Sequence, residues 1–445
     1  MRALSIGFVS FFSLIAPAAL ARTFSVANYS DQVDDNPGDG ICHAASGSAS
    51  SGYCTLRAAI MEANASPGVD TINLAGGNYV LTLSGTDNTA KTGDLDITEA
   101  VNIYGSTLSA VSISGSTLRD RILDIRGPHN VGLRDLTLKG GSSEAEGGCL
   151  YNNGGTLTVR NLTIQDCYGT EGGGLYSVGG SITVDAPYTI HFLRNGALIG
   201  GGMRLDGSTF RIDGGTAAGT STFEDNIAWA GGAINAQRTI SLTIPNARFL
   251  RNVATTSGGA IHYRTGTLSL SGGSFESNQA YRGGAIDAGG TLNVQATTFT
   301  SNYAEDVGGA VYVDTDDSAT IRNATFDANT GGSGGAIFAY GFQNLVVAIT
   351  GSTFRQNVAV ESLGASIGFG AGGAISNYNA NMTVSDSVFE ANSATDSGGA
   401  MYCSYSQLTV VRSLFDGNTV SDGDAQYNTI RSSDSCTTSF TGVRF

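Results

Sequence analysis

From residue 147 almost to its end the sequence is periodic. A Gly-Gly-small-aliphatic motif begins at Gly147, Gly172, Gly200, Gly231, Gly258, Gly283, Gly308, Gly334, Gly372 and Gly398. Most steps are 25 to 28 residues, with longer ones before Gly231 (31) and Gly372 (38). Phe-x-x-Asn pairs alternate with the motif, from Phe192/Asn195 through Phe299/Asn302 to Phe415/Asn418. A fixed period of this length calls for one structural unit per repeat, each burying its apolar face against the next.

Within a repeat the pattern has a period of two. Counting the first glycine as position zero, position three is always apolar (Leu150, Ile261, Ile286, Val311), and position five is mostly small or apolar (Ala236, Ala288, Val313). Position four varies freely: Tyr151, Arg204, His262, Asp287, Tyr312, Phe338, Tyr402. That is a strand with one buried face. A second alternating run follows (Leu268/Leu270, Leu292/Val294), and a third ends in the repeating Phe. Three short strands per repeat, stacked on those of the next repeat, describe an all-β, right-handed parallel β-helix solenoid. Its interior is expected to hold Phe and aliphatic ladders. The Asn, just past a strand end, is expected to tolerate a left-handed turn and to bond the Asn one rung away. Kelch propellers have a period of about 50 residues, and calcium β-rolls need Gly-Gly-x-Gly-x-Asp repeats, so neither fits.

The ends are not periodic. Residues 1–21 carry Arg2, an apolar run from Leu4 to Ile15 and Ala19-Leu20-Ala21, which reads as a secretory signal peptide. Residues 22–70 read as an N-terminal cap segment, 71–420 as the β-helix and 421–445 as a C-terminal cap. In the cap segment Leu56, Ala59, Ile60 and Ala63 mark one face of a short helix with Thr55 as its N-cap. No second apolar stretch is long enough to span a membrane. Six cysteines in an exported chain point to disulfides, placed by position as Cys42–Cys54, Cys149–Cys167 and Cys403–Cys436, and no Cys-x-x-Cys or His-x-x-x-His supports the zinc alternative. A net charge of −15 argues against nucleic acid or an anionic membrane as partner. It is compatible with a polysaccharide or another cell-surface polymer.

Gly38-Asp39-Gly40-Ile41-Cys42, followed by Cys54-Thr-Leu-Arg-Ala-Ala-Ile-Met-Glu-Ala-Asn, resembles the N-terminal segment named for the sequence CSLREA, which heads many exported bacterial β-helix proteins. It departs from that segment at Ala58, where the family has Glu, so the reciprocal half of a capping box is lost. From about residue 140 the GGA[ILV] and FxxN pairs resemble polymorphic outer membrane protein repeats. These resemblances imply a secreted or surface-exposed, pectin-lyase-like β-helix. They imply no single reaction, because such folds host lyases, hydrolases and adhesins. Surface autotransporters end in a long membrane β-barrel, whereas here only a short tail follows Asn418.

Positions four and six are expected to face outward and to form a two-column strip along the solenoid. Its centre brings together His262, Arg264, Asp287 and Asp314, a mixed-charge group able to move a proton. Tyr312, Phe338, Tyr340 and Tyr402 extend the strip with rings suited to sugar faces. Calcium is a candidate cofactor in the oxygen-rich loop of Asp34, Asp35, Asn36 and Asp39, and a second candidate cluster is Asp314, Asp316 and Asp317. The leading expectation is an exported, adhesin-like module that binds glycans or cell-surface polymers. The alternative is a polysaccharide lyase or glycoside hydrolase, its groove walled by insertions near 185–200, 213–222 and 358–371.

Overall fold

The computed structural model describes residues 20–44, 53–213, 219–239, 241–315, 317–342, 345–361, 370–421, 429–433 and 435–445. Most of the expected signal peptide, Asp316 and much of the insertion near 358–371 lie outside these residues. The chain forms a right-handed parallel β-helix of about 13 turns. Its strands stack into sheets of 26, 13 and 10 strands, and the pairings between them are parallel.

A regular coil contributes four strands rather than the expected three, as in Ile286–Ala288, Thr291–Gln295, Thr298–Thr300 and Tyr303–Val307. The first lies in the 13-stranded sheet, the next two in the 26-stranded sheet and the fourth in the 10-stranded sheet. The fourth escapes a hydrophobicity reading because its buried residue is often only an alanine, such as Ala254, Ala280 or Ala304.

Phe192, Phe223, Phe249, Phe275, Phe299, Phe326, Phe354, Phe389 and Phe415 stand in one buried column, with neighbouring ring centroids 4.5 to 5.3 Å apart. The Phe445 ring continues it, 5.5 Å from Phe415. Beside this column runs an amide ladder. Asn302 Nδ2 donates to Asn329 Oδ1 at 2.9 Å and to the Phe275 carbonyl at 3.0 Å, and its Oδ1 accepts from Asn278 Nδ2. One side chain thus ties together three coils.

The left-handed residue is not the Asn but the one before it. Ser277, Ser301 and Ala328 have φ of 55°, 54° and 54°. A non-glycine residue there is strained by roughly 1–2 kcal/mol, and the turn persists because it delivers the next side chain to the ladder. The glycine pair divides its work. Gly283 has φ +58°, whereas a Cβ on Gly284 would lie 2.2 Å from the Gly309 carbonyl oxygen of the next coil.

Helix α1 (Leu56–Ala65) begins at Thr55, whose hydroxyl accepts from Ala58 N at 3.1 Å. It sits on the first rungs: Asn64 Nδ2 donates to Asp96 O at 2.7 Å and Asn64 Oδ1 accepts from Thr98 N at 2.9 Å. Arg57, outside the expected apolar face, is fully buried and donates to Asp31 and to the carbonyls of Ala90, Gly93 and Asp94. The three expected disulfides are formed.

Two outcomes follow from the ladders. Phe299→Ala opens a cavity in the column and should cost about 3–5 kcal/mol in urea denaturation. Asn302→Asp removes two donors and sets a carboxylate against the Phe275 carbonyl and Asn329 Oδ1. Its folded pKa must rise above the unfolded value of about 3.9. The variant should therefore lose stability as pH climbs from about 4 to that raised pKa, then level off. Melting curves from pH 4 to 8 that stay parallel to those of the parent would refute this.

Candidate functional site

The 13-stranded sheet aligns every position-four residue in one register. The column runs Asp96, Asp124, Tyr151, Tyr176, Arg204, Asn235, His262, Asp287, Tyr312, Phe338, Ser376, Tyr402, Arg431. Neighbours lie one strand spacing apart, about 4.8 Å. These side chains point away from the apolar interior, yet most are not exposed. His262 is 5% exposed, Asp287 1%, Tyr312 4% and Phe338 1%.

The expectation of an open strip is corrected here, and the cause is the glycine corner. It folds the end of the preceding strand over the column. The Arg282 guanidinium lies 5.9 Å from the Tyr312 ring centroid, Val307 packs on Tyr312 and Phe338, and Asn235 Nδ2 donates to Ala230 O at 3.3 Å. Glu171 faces Arg204 at 3.3 Å in the same way. Position six stays more open: Arg264 is exposed, and Asp314, Tyr340 and Tyr378 are partly so.

At the centre the expected neighbours meet. His262 Nδ1 lies 3.1 Å from Asp287 Oδ2, and Arg264 lies 3.8 Å from Asp314 across two rungs. Burial alone would raise the Asp287 carboxyl. The hydrogen bond and charge of His262, with Arg264 and Ser257 adding to them, outweigh burial and hold the carboxyl below its usual range. Asp314 is raised, first by burial and then by Asp287, against the pull of Arg264 and Arg282. Asp287 Oδ1 and Asp314 Oδ1 are sealed from solvent. With Asp287 almost wholly covered, the His262–Asp287 pair has the form of an internal brace more than of an acid and base facing a substrate.

Toward the later coils the flank of the column is aromatic and open. The Tyr340 and Tyr378 rings stack at 5.5 Å. Phe342 meets Tyr340 edge-on at 5.2 Å, and Tyr405 meets Tyr378 edge-on at 5.4 Å. Phe342 and Tyr405 are more than half exposed. Tyr402, on the column itself, is partly exposed. The sequence reading missed Phe342 and Tyr405 because both sit in turns, outside the strand pattern.

The other end of the column holds a buried acidic cluster that the repeat pattern does not reach. Asp94, Asp96 and Asp124 come from the two Leu-Asp-Ile strands Leu95–Ile97 and Leu123–Arg126 and the residue before the first. Arg126 spans Asp96 at 3.2 Å and Asp124 at 2.7 Å, and Arg121 lies 3.5 Å from both Asp94 and Asp124. Burial, then repulsion by Asp120 and the neighbouring acids, pushes Asp94 up to about 8. Burial chiefly takes Asp96 up to about 6, even though it accepts the Ala90 N–H.

The expected calcium loop is differently arranged. Asp34 accepts from Asn36 N and His43 N, Asp35 faces His43 Nδ1 at 2.8 Å, and Asp39 accepts from Asn36 Nδ2 and Ile41 N. Asp34 and Asp39 thus hold the loop's backbone, and Asp35 holds His43. Among the described residues, the carboxyl oxygens that all lie within 4.8 Å of one another belong to Asp94, Asp96 and Asp124.

No sequence-family profile and no curated protein matches the chain. Among solved structures it is similar to the catalytic unit of a GH87 α-1,3-glucanase from Streptomyces thermodiastaticus strain HF3-3, with TM-score 0.47, 14% identity, and 96% of this chain and 69% of that one covered. It is also similar to tailspike protein 3 of bacteriophage CBA120 (TM-score 0.42, 12% identity, 82% and 56% covered), of which it spans little more than half. PfbA, a surface adhesin of Streptococcus pneumoniae, gives TM-score 0.31 at 10% identity, with 84% and 83% covered. Likenesses this distant do not decide between cleavage and binding. No helix among the described residues is long and apolar enough to cross a membrane.

The brace can be tested by a double-mutant cycle. His262→Ala leaves Asp287 buried without its hydrogen-bonded partner and should cost about 3–5 kcal/mol. Adding Asp287→Asn removes the orphaned charge and should restore most of that loss, a coupling measurable by urea denaturation.

Proposed function

We propose that this protein is an exported β-helix module that binds a polysaccharide along the outer flank of its 13-stranded sheet. The observation that carries the reading is the open aromatic run of Phe342, Tyr340, Tyr378 and Tyr405, set on adjacent coils. A linear polymer with its own repeat suits a surface that repeats about every 4.8 Å. Two half-exposed rings at the ends of a stacked pair offer apolar faces to sugar rings, and the tyrosine hydroxyls add polar contacts. Arg264 and Asp314 extend the contact with partly exposed charge. Three disulfides support an oxidising, extracytoplasmic location, and the CSLREA-like segment and outer-membrane-type repeats agree with display at a cell surface.

The second reading, a lyase or hydrolase, rests on His262, Asp287, Arg264 and Asp314. The near-complete burial of the first two favours binding over turnover. Both readings meet in one experiment. Purified protein is run through affinity gels containing neutral and acidic polysaccharides, and the same mixtures are followed for unsaturated-product absorbance and reducing ends. Phe342→Ala and Tyr405→Ala should each weaken retardation about tenfold, the equivalent of roughly 1.4 kcal/mol, with no product formed by the parent. Product formation that His262→Ala abolishes while retardation persists would overturn the binding reading and establish the enzyme.

A further inference from the structure

The acidic cluster at the first two rungs is independent of the polymer-binding surface. Asp94, Asp96 and Asp124 each offer a carboxyl oxygen, and these oxygens all lie within 4.8 Å of one another. That is the widest separation two oxygens can have on one ion that they approach at about 2.4 Å. All three residues are more than nine-tenths buried.

The oxygens are not all used. Asp96 is satisfied by Ala90 N and Arg126. Asp124 Oδ2 accepts from Arg126 at 2.7 Å, but its Oδ1 is sealed from solvent with no hydrogen-bond partner among the described residues. The Asp94 side chain accepts no hydrogen bond among the described residues and meets only Arg121 Nε, at 3.5 Å. Arg121 Nε is itself without a hydrogen bond among the described residues. Arg121 lies 3.5 Å from both Asp94 and Asp124 without a hydrogen bond to either among the described residues, and buried carboxylates compensated only at that distance are costly.

Charge leads to the same conclusion. Among the described residues four carboxyl groups, Asp94, Asp96, Asp120 and Asp124, stand against two guanidinium groups, Arg121 and Arg126. The donors are oxygens without imidazole or thiolate, a set suited to hard cations. Arg126, with its side chain 37% exposed, has solvent to retreat into.

We propose that Asp94, Asp96 and Asp124 bind one hard divalent cation, Ca²⁺ by size and donor type. The ion fastens residues 82–94 to the first rungs. That segment is otherwise held by the buried Arg57 guanidinium on the carbonyls of Ala90, Gly93 and Asp94, by Asp31 on the N–H groups of Thr82 and Leu83, and by Asp96 on Ala90 N. Lys91, exposed within it, reports whether it is fastened.

The test uses the full chain, stripped with EDTA and titrated calorimetrically with CaCl2 and, separately, MgCl2. One Ca²⁺ per chain is expected, with Kd on the order of 10⁻⁴ M as in extracellular modules. Saturating Ca²⁺ should raise Tm by about 2 °C and slow Lys-C cleavage after Lys91. Asp124→Asn and Asp94→Asn should each weaken binding at least about tenfold, Asp39→Asn in the N-terminal loop should leave it unchanged, and Arg126→Gln should tighten it. If Asp124→Asn does not fold, Asp94→Asn and Arg126→Gln carry the test alone. The proposal is overturned by an absence of binding heat and Tm shift. It is equally overturned by binding that survives Asp94→Asn but is lost in Asp39→Asn, or by Arg126→Gln failing to tighten it, which would leave the cluster as an ion-pair network only.

Discussion

The buried amide ladder sets the register on which the rest of the molecule depends. An unbonded carboxamide in an apolar interior costs several kilocalories per mole, so each Asn is tolerated only where its neighbours one coil away are in place. Each also captures a strand carbonyl of the preceding coil, that of Ile164 for Asn195 and of the repeating Phe thereafter, as Asn252 does with Phe223 at 2.9 Å. The side chain thereby fixes both the height and the lateral position of its coil. Slipping one coil by a residue would break every amide bond on both sides and move its Phe out of the column. The left-handed residue before each Asn is the strain accepted for that precision.

Register has a second effect on the opposite side of the coil. Because each glycine corner bends in the same place, the strand end before it covers position four in most coils. Polar side chains there are drawn into pairs along the column: Arg204 donates to Asn235 and to Gln237, His262 meets Asp287, and Arg126 spans Asp96 and Asp124. Groups in the column act on one another before they act on anything in solvent. Contact with a partner passes to position six and to the turns beyond it.

This division explains how much could be read from the chain alone. The stacked Phe and Asn columns, the glycine corners and the three cysteine pairs were legible because each repeats, or pairs, in one dimension. The neighbours His262–Asp287 and Arg264–Asp314 were legible too, since a parallel register converts repeat position directly into contact. Burial of position four was not, because the covering strand buries mainly alanine and leaves no apolar signature. The Leu-Asp-Ile strands at 95–97 and 123–125 lack glycine pairs, so their aspartates looked like features of irregular coils although they continue the same column. Arg57 was hidden for another reason: a helix face containing arginine reads as solvent-facing until Asp31 and three carbonyls are seen around it.

The long step between Gly334 and Gly372 shows what the architecture tolerates. Ile337 still pairs with Ile375 and Phe354 with Phe389, as if the extra residues were not there. Coils recognise only the faces above and below them, so the chain can gain or lose whole coils by duplication or deletion without redesigning those that remain. Each change would lengthen or shorten the outer flank by one strand spacing. A lineage of such proteins could therefore adjust how many units of a polymer it spans by copy number, a coarse but heritable ruler that leaves the chemistry of every retained coil unaltered.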